Sequence, residues 1–328
     1  MKFYIWLLAC TRASAQTCHV VKQAYQNTCC GANETTVLDV SGLLPIPMIN
    51  YFKWFPTSME PFFRAADEFV SSIPINVIND APTGYVLDTT KITIVPPYYF
   101  RKSHPTFAPL TSYEPIGLRA QEYLDWYYDY NGSTLVDAVL DEYDLVGLLV
   151  GASTPQDYLY TVNPLTSIND LDGMNMRSVG IFKDFLLENG AVKNDTYAEL
   201  YEYISPAFDS GYGWYSKFQY SYKISKEPRG NYFMLFPKAI WNLLPSTLQS
   251  SLRVLAKTAT LNMLRNCNDF EAAYTGSIPP LQTLPSDIQI SWDTFRARRL
   301  QEDMNSSWAT DNYKSMINHM KTHKDSLP

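Results

Sequence analysis

Two kinds of hydrophobic periodicity alternate along the chain. Short β-branched runs are typical of buried strands, and apolar residues three and four positions apart are typical of amphipathic helices. The pattern predicts strands at Phe52–Phe55, Ile75–Ile78, Lys91–Val95, Asp144–Val150, Asn175–Val179 and Asn231–Phe236, and helices at Pro61–Ile73, Gly117–Tyr128, Ser133–Glu142, Ile181–Asn189 and Ser246–Leu264. Strands that alternate with helices in this way indicate an α/β fold.

The residues at the ends of the predicted helices support these boundaries. Gly190 follows the helix at Ile181–Asn189, and glycine there favours the left-handed turn that closes a helix. Ser246 follows a proline and is a favoured N-cap residue. The polar segment from Ser286 to Lys324 has helical periodicity, so we expect a helical tail.

The first residues have the pattern of an export signal. Met1-Lys2 precedes the apolar stretch Phe3–Cys10, and Ala13-Ser14-Ala15 has the small residues that a signal peptidase accepts. We predict cleavage after Ala15 and a periplasmic or secreted protein. A lipoprotein signal with an acylated Cys10 is the alternative.

Three cysteines lie close together after the predicted cleavage site. Cys18, Cys29 and Cys30 belong to a segment, residues 16–44, that we interpret as an N-terminal appendage. In an oxidising compartment this spacing favours a disulfide from Cys18 to Cys29 or Cys30. The pairing of the remaining cysteines, which include Cys267, stays open, and a zinc site is a less favoured alternative.

Composition and charge exclude several classes of protein. The chain has 328 residues, with 46% hydrophobic and 18% charged residues, which excludes disorder for most of its length. Its longest apolar run, Phe3–Cys10, is far shorter than the roughly 20 residues that span a bilayer, so a polytopic membrane protein is excluded. The net charge is −7 and the largest basic cluster is Arg296–Arg299, which argues against a nucleic-acid partner.

Five features occur in a fixed order along the chain: Tyr98–Lys102, Gln156, Ile168–Arg177, Glu202–Asp209 and Trp241–Gln249. In order and composition they resemble the solute-binding proteins of tripartite ATP-independent periplasmic (TRAP) transporters. The most similar branch binds 2-oxoacids and related monocarboxylates together with a metal ion. The resemblance extends from about Phe52 to Trp292, roughly three quarters of the chain.

The chain departs from the family pattern at several positions. Ala152 stands where the family usually has an asparagine, and Tyr203 and Ser205 replace a tryptophan and a glycine. Lys223–Lys226 replaces a Pro-Gly-Trp-like turn before Glu227. These departures leave the identity of the solute open.

The resemblance implies a two-lobed periplasmic-binding-protein-like fold, type II-like, with hinge-linked lobes and a helical C-terminal tail. It implies that residues 45–155, with about 231–285, form lobe 1, and that residues 156–230, with part of the tail, form lobe 2. Residues 1–15 are then the signal peptide and residues 286–328 the tail.

Arg177 is the residue that the resemblance places against a solute carboxylate. A planar guanidinium with five donors binds a carboxylate in a bidentate way that lysine cannot reproduce. The alternative from the sequence alone is a surface arginine paired with a neighbour such as Asp172. The resemblance implies Gln156, Tyr98 and Tyr99 as further solute-binding residues.

The resemblance also implies a metal site. Its ligands would be Glu202, Glu227, the side-chain oxygen of Gln156 and the backbone carbonyl of Tyr203. These oxygen donors suit a hard cation rather than zinc or copper. The site would contain one positive charge, on Arg177, and three negative charges, on the two glutamates and the anionic solute. The two negative charges left over favour calcium as the ion; sodium is the alternative. Without a metal, both glutamates would be ordinary solvated side chains.

Aromatic and histidine side chains add weaker candidates. Trp214 and Tyr215, together with Tyr203, are candidates for an apolar wall around the solute, although such residues more often belong to a core. His319 and His323 have the i, i+4 spacing that can hold a metal on a helix, but no third ligand accompanies them. We therefore predict that this histidine pair lies on a solvated helix face.

The leading hypothesis is an extracytoplasmic binding protein, not an enzyme, that captures a small carboxylate, a 2-oxo or 2-hydroxy acid, with a metal ion between its lobes. The resemblance implies a TRAP-type membrane permease as partner, and a homodimer stays open. The first alternative is a secreted hydrolase that uses paired carboxylates or a metal-bound water, although no nucleophile elbow, HExxH or phosphate loop is present. The second is an extracellular receptor for carboxylates or carbohydrates.

Overall fold

Two separate β-sheets form the framework of the part of the chain that the structure describes. The computed structural model describes residues 75–77, 92–111, 115–153, 155–194, 196–202, 206, 217–224, 230–244, 246–274 and 278–328. The strands among these residues are β1 (Ile75–Val77), β2 (Ile92–Val95), β3 (Leu145–Ala152), β4 (Tyr158–Thr161), β5 (Asn175–Arg177), β6 (Val192–Lys193), β7 (Leu200–Tyr201), β8 (Tyr220–Lys223), β9 (Asn231–Pro237) and β10 (Leu281–Gln282).

Helices of very different lengths surround the sheets. The α-helices of the described residues are α1 (Ala108–Thr111), α2 (Ala120–Asp129), α3 (Gly132–Asp141), α4 (Gly180–Glu188), α5 (Lys238–Leu243), α6 (Ser246–Ala273), α7 (Ser286–Asn305) and α8 (Asp311–Asp325). Short 3-10 helices lie at Pro97–Phe100, Pro105–Phe107 and Ile168–Leu171. None of the described helices is long and apolar enough to cross a membrane.

Each sheet takes its strands from more than one part of the chain. The first sheet has the order β1-β2-β9-β3, with β9 antiparallel to both of its neighbours. The second sheet has the order β10-β8-β4-β7-β5-β6, with β4 antiparallel to β7 and β8. We call the first sheet with α1–α3, α5 and α6 lobe 1, and the second sheet with α4 lobe 2. The chain therefore passes to lobe 2 after β3, returns after β8, and passes again between α6 and β10.

The centre of lobe 1 is buried on both faces of its sheet. All residues of β9 are buried, and the ring of Phe233 packs 6.0 Å from that of Tyr127 in α2. On the opposite face α6 approaches β3 so closely that a Cβ at Gly151 would lie 2.6 Å from the sulfur of Met263. Strands covered on both faces are continuous apolar runs, which is why β3 and β9 could be predicted from the sequence.

The C-terminal tail contacts both lobes. In α7, Trp292 packs against the rings of Phe182 and Phe185 of α4, at 5.1 and 5.3 Å between ring centroids. In α8, Lys324 Nζ lies 2.9 Å from a carboxylate oxygen of Glu122 in α2. The tail therefore links lobe 2, through α7, to lobe 1, through α8.

The prediction of a solvated histidine face is wrong for His323. That side chain is 5% exposed, and its Nε2 lies 3.2 Å from the backbone oxygen of Glu122. One turn earlier, Trp126 Nε1 donates a hydrogen bond to His319 Nδ1 at 3.0 Å. The two histidines take part in the contact between α8 and α2. Apolar periodicity could not reveal this, because polar side chains of α8 satisfy polar atoms of α2.

The α/β prediction is confirmed, and most predicted elements occur within a few residues of their expected bounds. Helix α6 ends at Ala273, nine residues beyond the predicted Leu264. The strands β4 and β8 were not predicted. The predicted elements Phe52–Phe55 and Pro61–Ile73 lie outside the described residues. The appendage with Cys18, Cys29 and Cys30 also lies outside them. Cys267 is buried in α6. The lobe boundaries stay a prediction.

We expect Trp292→Ala to lower the free energy of unfolding by about 3–5 kcal/mol, because the fully buried ring anchors α7 to α4. Urea denaturation measures this change. Ile290→Ala in the same helix is the matched control: Ile290 is 64% exposed, so its loss should change the stability by less than about 0.5 kcal/mol. Equal effects of the two substitutions would contradict the anchoring role.

Candidate functional site

Several strand ends of lobe 2 meet at one edge of its sheet. Arg177, the last residue of β5, is in register with Tyr201, the last residue of β7. Tyr158, the first residue of β4, is in register with Lys223, the last residue of β8. The carboxyl ends of β5, β7 and β8 and the amino end of β4 therefore lie together, and we call this end of the sheet the site edge.

Arg177 contacts Glu202 and Tyr201 at the site edge. Its Nη1 donates a hydrogen bond to the backbone oxygen of Glu202 at 3.1 Å, and its guanidinium carbon lies 5.4 Å from the ring centroid of Tyr201. The alternation of β5 places the neighbouring Met176 in the main core, so Arg177 projects from the opposite face. The half-buried guanidinium is thereby oriented by backbone and aromatic contacts within lobe 2.

Glu202 is a buried carboxylate next to this arginine. The residue is 2% exposed, and its Oε2 accepts a hydrogen bond from the hydroxyl of Ser178, which is 1% exposed, at 2.8 Å. Its backbone N–H donates to the backbone oxygen of Arg177 at 3.1 Å. A buried carboxylate is costly unless it is hydrogen-bonded or paired with positive charge, so Ser178 has a defined role in supporting Glu202.

Two short crossovers connect the site edge to lobe 1. One runs from β3 to β4 and contains Gln156; the other runs from β8 to β9. The backbone N–H of Ser153 donates to the oxygen of Gly230 at 3.0 Å, and Gly230 N–H donates to Ser153 Oγ at 2.9 Å. Near lobe 2, the N–H of Ile224 donates to the oxygen of Asp157 at 3.0 Å. The crossovers are therefore paired at both ends.

Lobe 1 places its own candidates at the carboxyl end of β2. Tyr98 is half-buried in the 3-10 helix Pro97–Phe100, and its backbone N–H donates to Thr111 Oγ1 at 3.0 Å. Tyr99 belongs to the same short helix, and its side chain is outside what the structure describes. The ends of β2 and β3 and the start of β9 lie at the same edge of the first sheet, from which the crossovers depart.

Solved structures of TRAP periplasmic solute-binding proteins share this architecture. No protein-family model matches the sequence. A crystal structure of a TRAP periplasmic solute-binding protein from Colwellia psychrerythraea, with bound calcium and pyruvate, has a TM-score of 0.65 and 19% identity, and covers 71% of this chain and 76% of that one. Another from Pseudoalteromonas atlantica, with bound sodium and pyruvate, has a TM-score of 0.63 and 19% identity, with coverage of 71% and 75%.

The chain has the fold of the TRAP solute-binding proteins. A curated relative, the monocarboxylate 2-oxoacid-binding periplasmic protein of Nostoc sp., is 26% identical over 188 residues. The match covers 53% of this chain, and the chain spans about half the length of that relative. The predicted two-lobed fold and the resemblance to the TRAP family are confirmed.

Within the TRAP solute-binding fold, three predicted site residues of lobe 2 lie at one edge of its sheet: Arg177, Glu202 and Gln156. Tyr98 lies at the facing edge of lobe 1. Tyr203, Glu227, Trp214 and Tyr215 lie outside the described residues. Sequence reasoning missed Ser178 and Tyr201, although both adjoin predicted site residues along the chain and could have been found by extending each motif by one residue.

The described part of the predicted metal site consists of Gln156 and Glu202. Both offer oxygen donors, and the buried carboxylate of Glu202 is a ligand type that calcium or sodium accepts. Among the described residues, no three His, Cys, Asp or Glu side chains come together as a metal site. A complete site would thus require the predicted contributions of Tyr203 and Glu227.

An ion pair connects the two lobes close to the site. Arg101, three residues after Tyr98, places its Nη2 2.9 and 2.8 Å from the two carboxylate oxygens of Asp184 in α4. The side chains are 16% and 30% exposed. Burial lowers the pKa of the neighbouring Lys183, and the Asp184 carboxylate opposes that shift. The pair holds the lobes in the arrangement seen in this structure.

We expect Arg101→Met and Asp184→Asn to be non-additive in a double-mutant cycle, with a coupling energy of about 1 kcal/mol, because the pair is only partly exposed to water. Urea denaturation of the single and double variants measures the coupling. The exposed pair Arg298–Glu188, which joins α7 to α4, is the control and should show no resolvable coupling. Additive effects at Arg101 and Asp184 would contradict the interlobe role.

Proposed function

We propose that the protein binds a small carboxylate, a 2-oxo or 2-hydroxy acid, together with a metal ion between its two lobes. The observation that carries the proposal is the arrangement at the site edge. A guanidinium oriented by Tyr201 and by the carbonyl of Glu202 lies beside a buried carboxylate and next to the crossovers. An anion at this place would interact with a positive charge whose position is already set, which reduces the entropy lost on binding.

The chemistry of Arg177 favours a carboxylate solute. One of its terminal nitrogens donates to the backbone oxygen of Glu202. A guanidinium is a planar group with five N–H donors, a geometry that suits a carboxylate. Glu202 repels an anion, so a cation between them is part of the proposal. Gln156, Glu202, the carbonyl of Tyr203 and Glu227 would hold calcium or sodium, and Tyr98 and Tyr99 would contact the solute from lobe 1.

The relatives support both the solute class and the ion. The two solved structures contain pyruvate with calcium or with sodium, and the Nostoc relative is named for binding monocarboxylate 2-oxoacids. We extend these properties to this chain because its described site residues have suitable chemistry. A non-catalytic role, a periplasmic location after removal of residues 1–15, and delivery of the solute to a TRAP-type permease complete the proposal.

We expect Arg177→Lys to weaken pyruvate binding roughly 10- to 100-fold. Lysine keeps the positive charge but lacks the planar group that binds a carboxylate through two hydrogen bonds. Each hydrogen bond to a charged group contributes about 1.5–3 kcal/mol. Titration calorimetry with calcium present measures the dissociation constant. Arg298→Lys, on the exposed surface of α7, is the matched control and should bind as the unaltered protein does. Unchanged affinity in Arg177→Lys would remove the role of this arginine.

We expect removal of metal ions to weaken pyruvate binding by about tenfold or more, since the solute would then approach the carboxylates of the site without the charge of the cation. The same titration after dialysis against EDTA, followed by addition of calcium or sodium, measures the loss and identifies the ion that restores affinity. NMR spectra of pyruvate after prolonged incubation check that the acid is recovered unchanged. Equal affinity with and without the chelator would count against the metal, and turnover of pyruvate against a binding protein.

A further inference from the structure

Asn231, the first residue of β9, is a buried side chain whose polar atoms have no hydrogen-bond partner. The residue is 0% exposed, and both its Nδ2 and its Oδ1 lack a partner. A carboxamide can donate two hydrogen bonds and accept two. Burying a carboxamide without hydrogen bonds costs the free energy of its hydration. An apolar side chain of similar shape would avoid this desolvation cost. The packing of the strand therefore does not explain an asparagine here.

The composition of β9 strengthens this point. The six residues that follow Asn231 are Tyr232, Phe233, Met234, Leu235, Phe236 and Pro237, and all of them are buried. Asn231 is the carboxamide at the end of an otherwise apolar strand. It lies at the end that meets the crossovers, not in the middle of the sheet.

The register of the sheet places Asn231 where lobe 1 faces lobe 2. Asn231 pairs directly with Ala152, the last residue of β3, so the two side chains lie on the same face. Towards lobe 2, Asn231 is preceded by Gly230, and Ala152 is followed by Ser153. Gly230 and Ser153 are hydrogen-bonded to each other. The residue opposite Asn231, Ala152, has an apolar side chain and offers the carboxamide no hydrogen bond. The crossover that begins at Ser153 continues to Gln156.

We propose that Asn231 is a solute-binding residue of lobe 1, and that its carboxamide donates a hydrogen bond to an oxygen of the bound acid. The inference rests on the proposed function and adds to it a contact from the lobe opposite Arg177. The crossovers start beside Asn231, at Ser153 and Gly230. In this proposal the solute reaches the buried carboxamide when the angle between the lobes changes. A hydrogen bond closed off from bulk water is stronger than an exposed one.

The alternative is that Asn231 serves the fold alone. The two roles differ in their effect on the protein without solute. If the carboxamide serves to bind solute, an apolar side chain of similar shape should leave the solute-free protein equally stable or more stable. The same change should weaken solute binding. If the carboxamide serves the fold, the same change should lower stability and leave the affinity of the folded protein unchanged.

The test uses Asn231→Leu in the full chain, with pyruvate and calcium chloride as the probe. Thermal denaturation without pyruvate should give a midpoint equal to or above that of the unaltered protein. Titration calorimetry should show affinity for pyruvate weakened roughly 10- to 100-fold. Asn231→Ala, which cannot overpack the site, should show the same loss of affinity. Unchanged affinity in either variant would overturn the proposal.

Thr93→Val is the matched control. Thr93 in β2 is also 0% exposed, and its Oγ1 also lacks a partner. It is in register with Leu235, four residues along β9 from Asn231 and away from the crossovers. Removing this hydroxyl should leave the affinity for pyruvate within about twofold. If Thr93 did donate a hydrogen bond to the solute, its loss would cost about 1 kcal/mol and exceed that range. A loss in Thr93→Val equal to that in Asn231→Leu would overturn the specific role of Asn231.

The outcomes for the two proposals are distinguishable. If the unaltered protein binds pyruvate and Arg177→Lys weakens binding, while Asn231→Leu binds normally, the inference on Asn231 fails and the proposed function stands. If the unaltered protein binds no 2-oxo or 2-hydroxy acid with or without calcium, both fail.

Discussion

The hydrogen-bonded pair of crossovers between the two sheets is the constraint on which the rest of the structure depends. Ser153 and Gly230 are paired where the crossovers leave lobe 1, and Ile224 is paired with Asp157 where they enter lobe 2. Because both connections are short and leave from matching edges, the strand ends of one lobe must face those of the other. Residues at these ends therefore collect in one region, although they come from distant parts of the chain.

Contacts outside the crossovers limit how the lobes can be arranged. The tail binds α4 through Trp292 and binds α2 through Lys324, and Arg101 reaches Asp184 directly. The aromatic contact buries a large apolar area and is insensitive to salt. The partly exposed ion pair of Arg101 and Asp184 contributes less and is screened by salt. The aromatic contact therefore contributes more to the arrangement of the lobes than the ion pair does.

Charge balance governs the chemistry of the site edge. Glu202 is buried, so its negative charge needs the nearby guanidinium, the hydroxyl of Ser178 and, in our proposal, a cation. Arg177 in turn is oriented by a backbone carbonyl and an aromatic ring. In our proposal its positive charge interacts with the carboxylate of the solute. This division of roles explains why a carboxylate and a metal ion are proposed to bind together.

Local patterns predicted much of the fold and part of the site. The apolar runs of β3 and β9 and the periodicity of α2, α3 and α4 depend on neighbours close along the chain. The short strands β4 and β8, by contrast, are partly tyrosine and were missed, because four residues give too little alternation to separate a strand from a loop.

The sequence by itself determined the α/β class, the position of Arg177 in a strand, and the order of the motifs that resemble TRAP solute-binding proteins. Only the tertiary structure decided which residues meet. Arg177 contacts the carbonyl of Glu202, Arg101 contacts Asp184 83 residues away, and Asn231 lies opposite Ala152. The physical reason is that periodicity records which face of an element is buried. Pairing between elements depends on strand register and on the paths of the crossovers, which local patterns do not encode.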